Sequence, residues 1–165
     1  HDSAMFSEET WEGLKKFRGI RRRFETIGRL GGAELIADYA HHPREIAAAV
    51  QTAKEFCRGR LFVIFQPHTY SRTRLLFDDF VSVLSQVENL VLYKTYPARE
   101  YFDAAGSALT LSEHLPDSLY IESVRELEIY LRCSLSAGDV ALFLGAGDIY
   151  FAAKQVLLGR NNAEA

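Results

Sequence analysis

Two short segments concentrate side chains able to do chemistry. The first is Asp38-Tyr39-Ala40-His41-His42-Pro43. An aspartate at the end of a strand can accept hydrogen bonds from ribose hydroxyls. Two imidazoles beside it offer donors to a phosphate or acyl group. A helix opening at Pro43 would add free N–H groups and partial positive charge. A structural alternative stays open, in which Asp38 or His42 only caps that helix. His41 and His42 as a metal pair lack a nearby cysteine or suitably spaced carboxylate to complete a shell, so no metal site is expected.

The second segment is Gln66-Pro67-His68-Thr69-Tyr70-Ser71-Arg72-Thr73-Arg74. It packs hydroxyls, an imidazole and two guanidiniums into nine residues, and arginine grips carboxylate or phosphate with paired bonds. Its alternative is a polar loop with Ser71 or Thr73 as a helix cap. Three weaker candidates follow. Tyr96-Pro97-Ala98-Arg99-Glu100 could close a loop by an ion pair or touch a substrate. Gly145-Ala146-Gly147-Asp148 has Tyr150 where the third glycine of a dinucleotide fingerprint would stand, so it reads as a tight turn with Asp148 as the cap. The cations Lys15, Lys16, Arg18, Arg21, Arg22, Arg23 and Arg29 read as a solvated face. Strand alternation would put Arg21, Arg23 and Glu25 on one side and Arg22 and Phe24 on the other.

These segments need a scaffold, and the hydrophobic pattern supplies one. Apolar runs at 33–37, 61–65, 89–94 and 140–144 fit strands buried on both faces. A shorter strand is expected at 119–121, and an exposed one at 21–28 that turns at Gly31-Gly32. Helical spacing marks 8–17, 43–56, 75–87, 108–114, 124–133 and 148–158. This alternation predicts an α/β fold, a three-layer, doubly wound and mostly parallel sheet of the Rossmann-like dinucleotide-binding type. Ligands of such sheets sit at the carboxyl ends of the strands, where the segments above fall.

Composition narrows the function classes. At 165 residues, 48% hydrophobic and 25% charged, the chain suits one globular domain, not a disordered one. A net charge of −3 argues against bulk attraction to nucleic acid or an anionic membrane. No apolar run reaches membrane-spanning length and no secretory leader is visible, so a cytoplasmic setting is expected. Cys57 and Cys133 read as small buried thiols. Neither a P-loop, G-x-x-x-x-G-K-[ST], nor a G-x-S-x-G elbow occurs in the sequence. Starting at His1, the chain reads as processed or excised.

The ordered series Phe17-Arg18-Gly19, Arg22-Arg23-Phe24-Glu25, D-Y-A-H-H-P at 38–43, F-Q-P-H-T-Y-S-R-T at 65–73, Y-P-A-R-E at 96–100 and G-A-G-D at 145–148 resembles the C-terminal domain of the Mur ligases. H-H-P and Q-P-H-x-Y-S-R-T point to the alanine-adding branch, with the murein tripeptide recycling branch as its close relative. The resemblance implies that 14–165 form the amino-acid-side domain. Residues 1–13 would be a tag remnant or the tail of a preceding central domain. It also implies an ATP-dependent, ADP-forming ligase that activates the carboxylate of UDP-N-acetylmuramate as an acyl phosphate for attack by L-alanine. The N-terminal and central domains would be partners, the latter carrying the P-loop and most Mg2+ ligands, so this chain alone would be inactive. Residue by residue, Arg23, Asp38, Tyr39 and His41 match nucleotide-side positions. His68 and Arg72 match the loop facing the reaction centre, and His42, Thr69, Tyr70 and Arg99 are substrate-side candidates. Thr69 stands where many relatives carry arginine. A stand-alone, non-catalytic nucleotide-binding module is the alternative of a different class.

Overall fold

Four apolar runs become the interior of a six-stranded sheet. In the computed structural model, which describes residues 23–159, the elements run β1 (Glu25–Leu30), β2 (Ala33–Asp38), α1 (Pro43–Phe56), β3 (Leu61–Phe65), α2 (Tyr70–Leu75), α3 (Phe77–Leu84) and β4 (Asn89–Tyr93). A 3₁₀ turn at Ala104–Gly106 follows, then α4 (Ala108–Glu113), β5 (Leu119–Ile121), α5 (Val124–Ser134), β6 (Val140–Leu144) and α6 (Ile149–Leu158). The strand order is β1-β2-β6-β3-β4-β5. All pairings are parallel except β1 with β2, a hairpin turned at Gly31-Gly32.

Side-chain alternation divides the core between two faces. Phe62, Ile64, Val91, Tyr93, Ala141 and Phe143 pack under α5 and α6 through Leu127, Leu131, Ala153 and Val156. Val63, Phe65, Leu90, Leu92, Leu142 and Leu144 pack under α1, α3 and α4 through Ile46, Ala53, Phe80 and Leu111. The helix after β2 therefore lies on one face and the helix after its neighbour β6 on the other. That divergence opens a crevice at the carboxyl ends of β2, β6 and β3.

Several expectations shift. The strand expected at 21–28 begins only at Glu25, because Phe24 has a positive φ of 48° that no extended strand accepts. Arg23 therefore stands outside the alternation. The strand continues to Leu30 through a register shift between Thr26 and Gly28. A Cβ on Gly28 would lie 2.5 Å from Leu157 Cδ2, so a larger residue there would force that side chain of α6 to shift. The helix expected at 75–87 is two helices broken at Leu76, and the first of them begins inside the polar segment at Tyr70. Cys133 is exposed and Cys57 half-buried. On α5 the inward stripe is Leu127 and Leu131, and a residue two positions further on points away from it. The expected helix at 8–17, the cations from Lys15 to Arg22 and the boundary at residue 13 lie outside the described residues.

Candidate functional site

The site grows from the end of β2. Asp38 accepts the Ala40 N–H on Oδ1 and the Phe24 N–H on Oδ2, each at 2.8 Å. The second bond bends the chain before β1 back over the strand end. It sets the Arg23 guanidinium carbon 5.8 Å from the centroid of the Tyr39 ring, within cation–π range. Each carboxylate oxygen keeps a second acceptor direction.

Pro43 then opens α1 at its first turn, and His42 is the cap residue. The cap is reciprocal. His42 Nδ1 accepts the Arg44 N–H, while Glu45 Oε2 accepts the N–H groups of His41 and His42. Burial pushes the Glu45 carboxyl up, but the His41 and His42 amides and the nearby charges of His41 and Arg23 hold it below its ordinary value. The capping alternative thus describes His42. Its neighbour His41 turns toward the crevice, edge-on to Tyr39 at 5.5 Å between centroids. His41 Nδ1 lies 3.0 Å from the Tyr39 carbonyl oxygen, which only accepts, so that nitrogen carries the proton and Nε2 is left as the second polar edge.

His68 faces it from the exit of β3, ring centroids 6.2 Å apart. The imidazole lies flat against Tyr96, 5.3 Å between centroids and 11° between planes. Its Nδ1 is buried and has no hydrogen-bond partner among the described residues. Burial, then the charge of Arg72, lowers the His68 pKa below 6.5, so the ring is neutral at neutral pH. Arg72 Nη1 donates to the His68 carbonyl at 2.9 Å. Among the described residues Arg72 pairs with no carboxylate. The crevice therefore presents a carboxylate, a fixed cation, a second cation over an aromatic face, and a neutral imidazole.

Not every candidate joins this cluster. Thr69 directs its hydroxyl to Glu100 Oε1 at 2.6 Å. Tyr70 packs edge-on against Phe102 and lines a separate cavity of about 550 Å3 with Gln66, Lys94, Tyr96 and Tyr120. Arg99 is exposed and forms no ion pair with Glu100, whose carboxylate goes to Thr69 and Ser71 instead. Neither Ser71 nor Thr73 caps α2. The cap position is Thr69, whose side chain does not serve as a cap, and Thr73 is buried with its hydroxyl on the Thr69 carbonyl.

The G-A-G-D segment is a bend between β6 and α6, and the Asp148 side chain, although at the cap position, does not cap α6. Gln66, fully buried, does so from across the sheet: its Oε1 accepts the Ile149 N–H at 3.0 Å. Its Nε2 donates to Asp148 Oδ1 at 2.6 Å and to the Lys94 carbonyl at 3.2 Å. This bracket joins the ends of β3, β4 and β6 two residues before His68. Gly147 makes it possible, because a Cβ there would sit 2.5 Å from Gln66 Oε1 and 2.6 Å from Tyr96. Gln66 and Tyr96 stand in segments the sequence singles out, but the glutamine's cap and the tyrosine's stack are not legible there. The one available signal was a polar residue closing a fully apolar strand. Tyr150, in the place of the missing glycine, donates its hydroxyl to Glu25 and ties α6 to β1.

Fold and site together define an α/β domain that gathers a carboxylate, two guanidiniums and two imidazoles at the strand reversal. The family model described as "Mur ligase, glutamate ligase domain" matches residues 22–147, and the chain belongs to that family. It is similar to UDP-N-acetylmuramate–L-alanine ligases. The relative in Lachnospira eligens is 42% identical over 149 residues, covering 88% of this chain and 32% of that protein. In Clostridium acetobutylicum the identity is 43% over 143 residues, covering 84% and 31%. The crystal structure of UDP-N-acetylmuramate–alanine ligase from Thermotoga maritima superposes with a TM-score of 0.67 at 31% identity, covering 89% of this chain and 31% of that one. A folylpolyglutamate synthase/dihydrofolate synthase of Yersinia pestis, complexed with AMPPNP and Mn, shares the fold at a TM-score of 0.69 and 18% identity, covering 93% and 35%. The chain spans about a third of the length of the curated relatives it matches.

Among the described residues no three His, Cys, Asp or Glu side chains gather as a metal site, and no helix is long and apolar enough to cross a membrane.

Proposed function

We propose that this chain is the amino-acid-side domain of a cytoplasmic, ATP-dependent ligase that joins L-alanine to UDP-N-acetylmuramate in the synthesis of peptidoglycan precursors. The observation that carries this reading is the facing pair of loops, Asp38-Tyr39-His41 opposite His68-Arg72, across the crevice of a Mur ligase C-terminal fold. The similarity to alanine ligases supplies the substrates.

The residues fit a nucleotide on one side of the crevice. Asp38 retains acceptor directions for ribose hydroxyls. Arg23, held over Tyr39, brings positive charge to the same edge. When bound, ATP supplies the phosphoryl group that activates the muramate carboxylate as an acyl phosphate. The Mg2+ ligands are assigned mainly to the central domain. On the other side, the Arg72 guanidinium takes the carboxylate of L-alanine and offsets negative charge growing in the transition state. His68, neutral and held flat by Tyr96, accepts a hydrogen bond from the incoming amine. His41 offers Nε2 from the opposite wall, and closure of this domain over its partners excludes water that would hydrolyse the activated carboxyl group.

The test is phosphate release from ATP with UDP-N-acetylmuramate and L-alanine. The full-length ligase carrying this domain should turn over only with all three components, and the 165-residue chain alone should be silent. Turnover by the chain alone overturns the proposed division of labour. Preference for the murein tripeptide over L-alanine moves the assignment to the recycling branch.

A further inference from the structure

The loop after β4 reaches over the reaction-side segment and holds it at two points. At one end Tyr96 donates its N–H to the Pro67 carbonyl at 2.9 Å and stacks its ring on His68. The chain then reverses. The Glu100 N–H donates to the Pro97 carbonyl at 3.0 Å, and Ala98 turns the chain with a φ of 53°, in the left-handed region. The reversal brings Glu100 to the start of α2. There its Oε1 accepts from the Thr69 hydroxyl at 2.6 Å and in a short bond from the Ser71 hydroxyl, and its Oε2 accepts the Ser71 N–H at 2.9 Å.

Helix α2 needs this partner. It is six residues long, its cap residue Thr69 provides no side-chain cap, and its first turn holds no acidic residue. A short helix without a cap frays, because its first N–H groups have no intrahelical acceptors. Glu100 supplies the missing acceptor from 29 residues away. The helix it holds carries Arg72, whose guanidinium in turn holds the His68 carbonyl. Glu100 is also ionised throughout the neutral range, since the Ser71 and Thr69 hydroxyls pull its pKa down to about 2.

We propose that Glu100 is a positioning residue of the ligase reaction: as a cap supplied from the loop after β4, it fixes the first turn of α2 and thereby sets Arg72 and His68 at the distance and orientation the amino acid requires. The same bonds account for Thr69, whose hydroxyl is spent on the clamp. The inference rests on the substrate assignment above for its kinetic consequence, but not for the clamp itself.

Two measurements test it. On the 165-residue chain, amide hydrogen exchange should show about tenfold faster exchange or more at 71–76 in Glu100→Gln, with β3, β6 and α6 unchanged, as a local opening demands. Glutamine keeps the size of the side chain but presents an NH2 donor where two acceptors are needed. In the full-length ligase, Glu100→Gln should lower kcat/KM for L-alanine by about tenfold or more, the scale of a loop misplaced by a fraction of an ångström to 1 Å. KM for ATP should stay within about twofold. Ser71→Ala should cost little further in the Glu100→Gln background, because the two changes remove one shared interaction. Unchanged exchange at 71–76, an unchanged kcat/KM for L-alanine in an active enzyme, or fully additive losses would each overturn the proposal. If the wild-type ligase does not use L-alanine, the substrate assignment fails and the exchange measurement alone decides the clamp.

Discussion

Replacing Gln66 by leucine should destabilise the domain far more than its single polar side chain suggests. The glutamine is fully buried and makes three bonds, to Lys94 after β4, to Asp148 after β6 and to the first residue of α6. Leucine fills similar space but leaves the Ile149 N–H buried without an acceptor, which costs about 1–3 kcal/mol. The bond to the Asp148 carboxylate, at 2.6 Å, is charge-assisted and worth about 1.5–3 kcal/mol. Burying the leucine side chain returns roughly 1 kcal/mol. The net loss is about 2–4 kcal/mol, since part of the exposed Asp148 is resolvated. For a domain of this size that lowers the melting temperature by about 5–15 °C and the urea midpoint by about 1–2 M. Circular dichroism of the 165-residue chain in urea measures it directly. Asp148→Asn keeps an oxygen acceptor for Gln66 Nε2 and should cost under about 1 kcal/mol. A midpoint for Gln66→Leu within about 0.3 M of wild type, against a slope of about 2 kcal/mol per molar, refutes the bracket. So does an equal loss in Asp148→Asn.

Other outcomes follow from the same geometry. Gly147→Ala should lose about 1–3 kcal/mol in thermal unfolding, because the new Cβ collides with Gln66 Oε1 and Tyr96 at 2.5 and 2.6 Å; a melting temperature equal to wild type would show that the turn relaxes freely. Glu100 contributes stability that is fully present above its ordinary value of 4.5 and is lost as the pH falls toward about 2. Acid titration of stability should therefore be flatter across that window in Glu100→Gln than in wild type, and superimposable curves would contradict the clamp.

Much of this arrangement is legible in the sequence because it is local. Runs such as Leu61–Phe65 and Val140–Leu144 announce strands buried on both faces, and Pro43 with Ile46, Val50 and Ala53 announces α1. Asp38 and His68 are conspicuous because each closes or follows such a run. What escapes is contact between distant positions. Nothing near Asp148 says that Gln66 caps its helix from 83 residues away. Tyr70–Leu75 reads as a polar loop because its cap is Glu100, on another strand's loop. Cys133 looks buried in a one-dimensional apolar context, and only the helix phase set by Leu127 and Leu131 turns it outward. His42 offers a different lesson: its place beside Asp38 reads as a substrate contact, yet its ring is occupied as a helix cap, while His41 beside it faces the crevice.

The division of the crevice into a nucleotide side and an amino-acid side is tested most directly by steady-state phosphate release in the full-length ligase, comparing Asp38→Ala with Arg72→Ala. Asp38→Ala should raise KM for ATP by roughly 5- to 150-fold, the equivalent of about 1–3 kcal/mol of lost hydrogen bonding, and leave KM for L-alanine nearly unchanged. Arg72→Ala should do the reverse, raising KM for L-alanine and lowering kcat while KM for ATP holds. If both variants move the two constants together, or if neither moves them, the two sides are not what this account makes them.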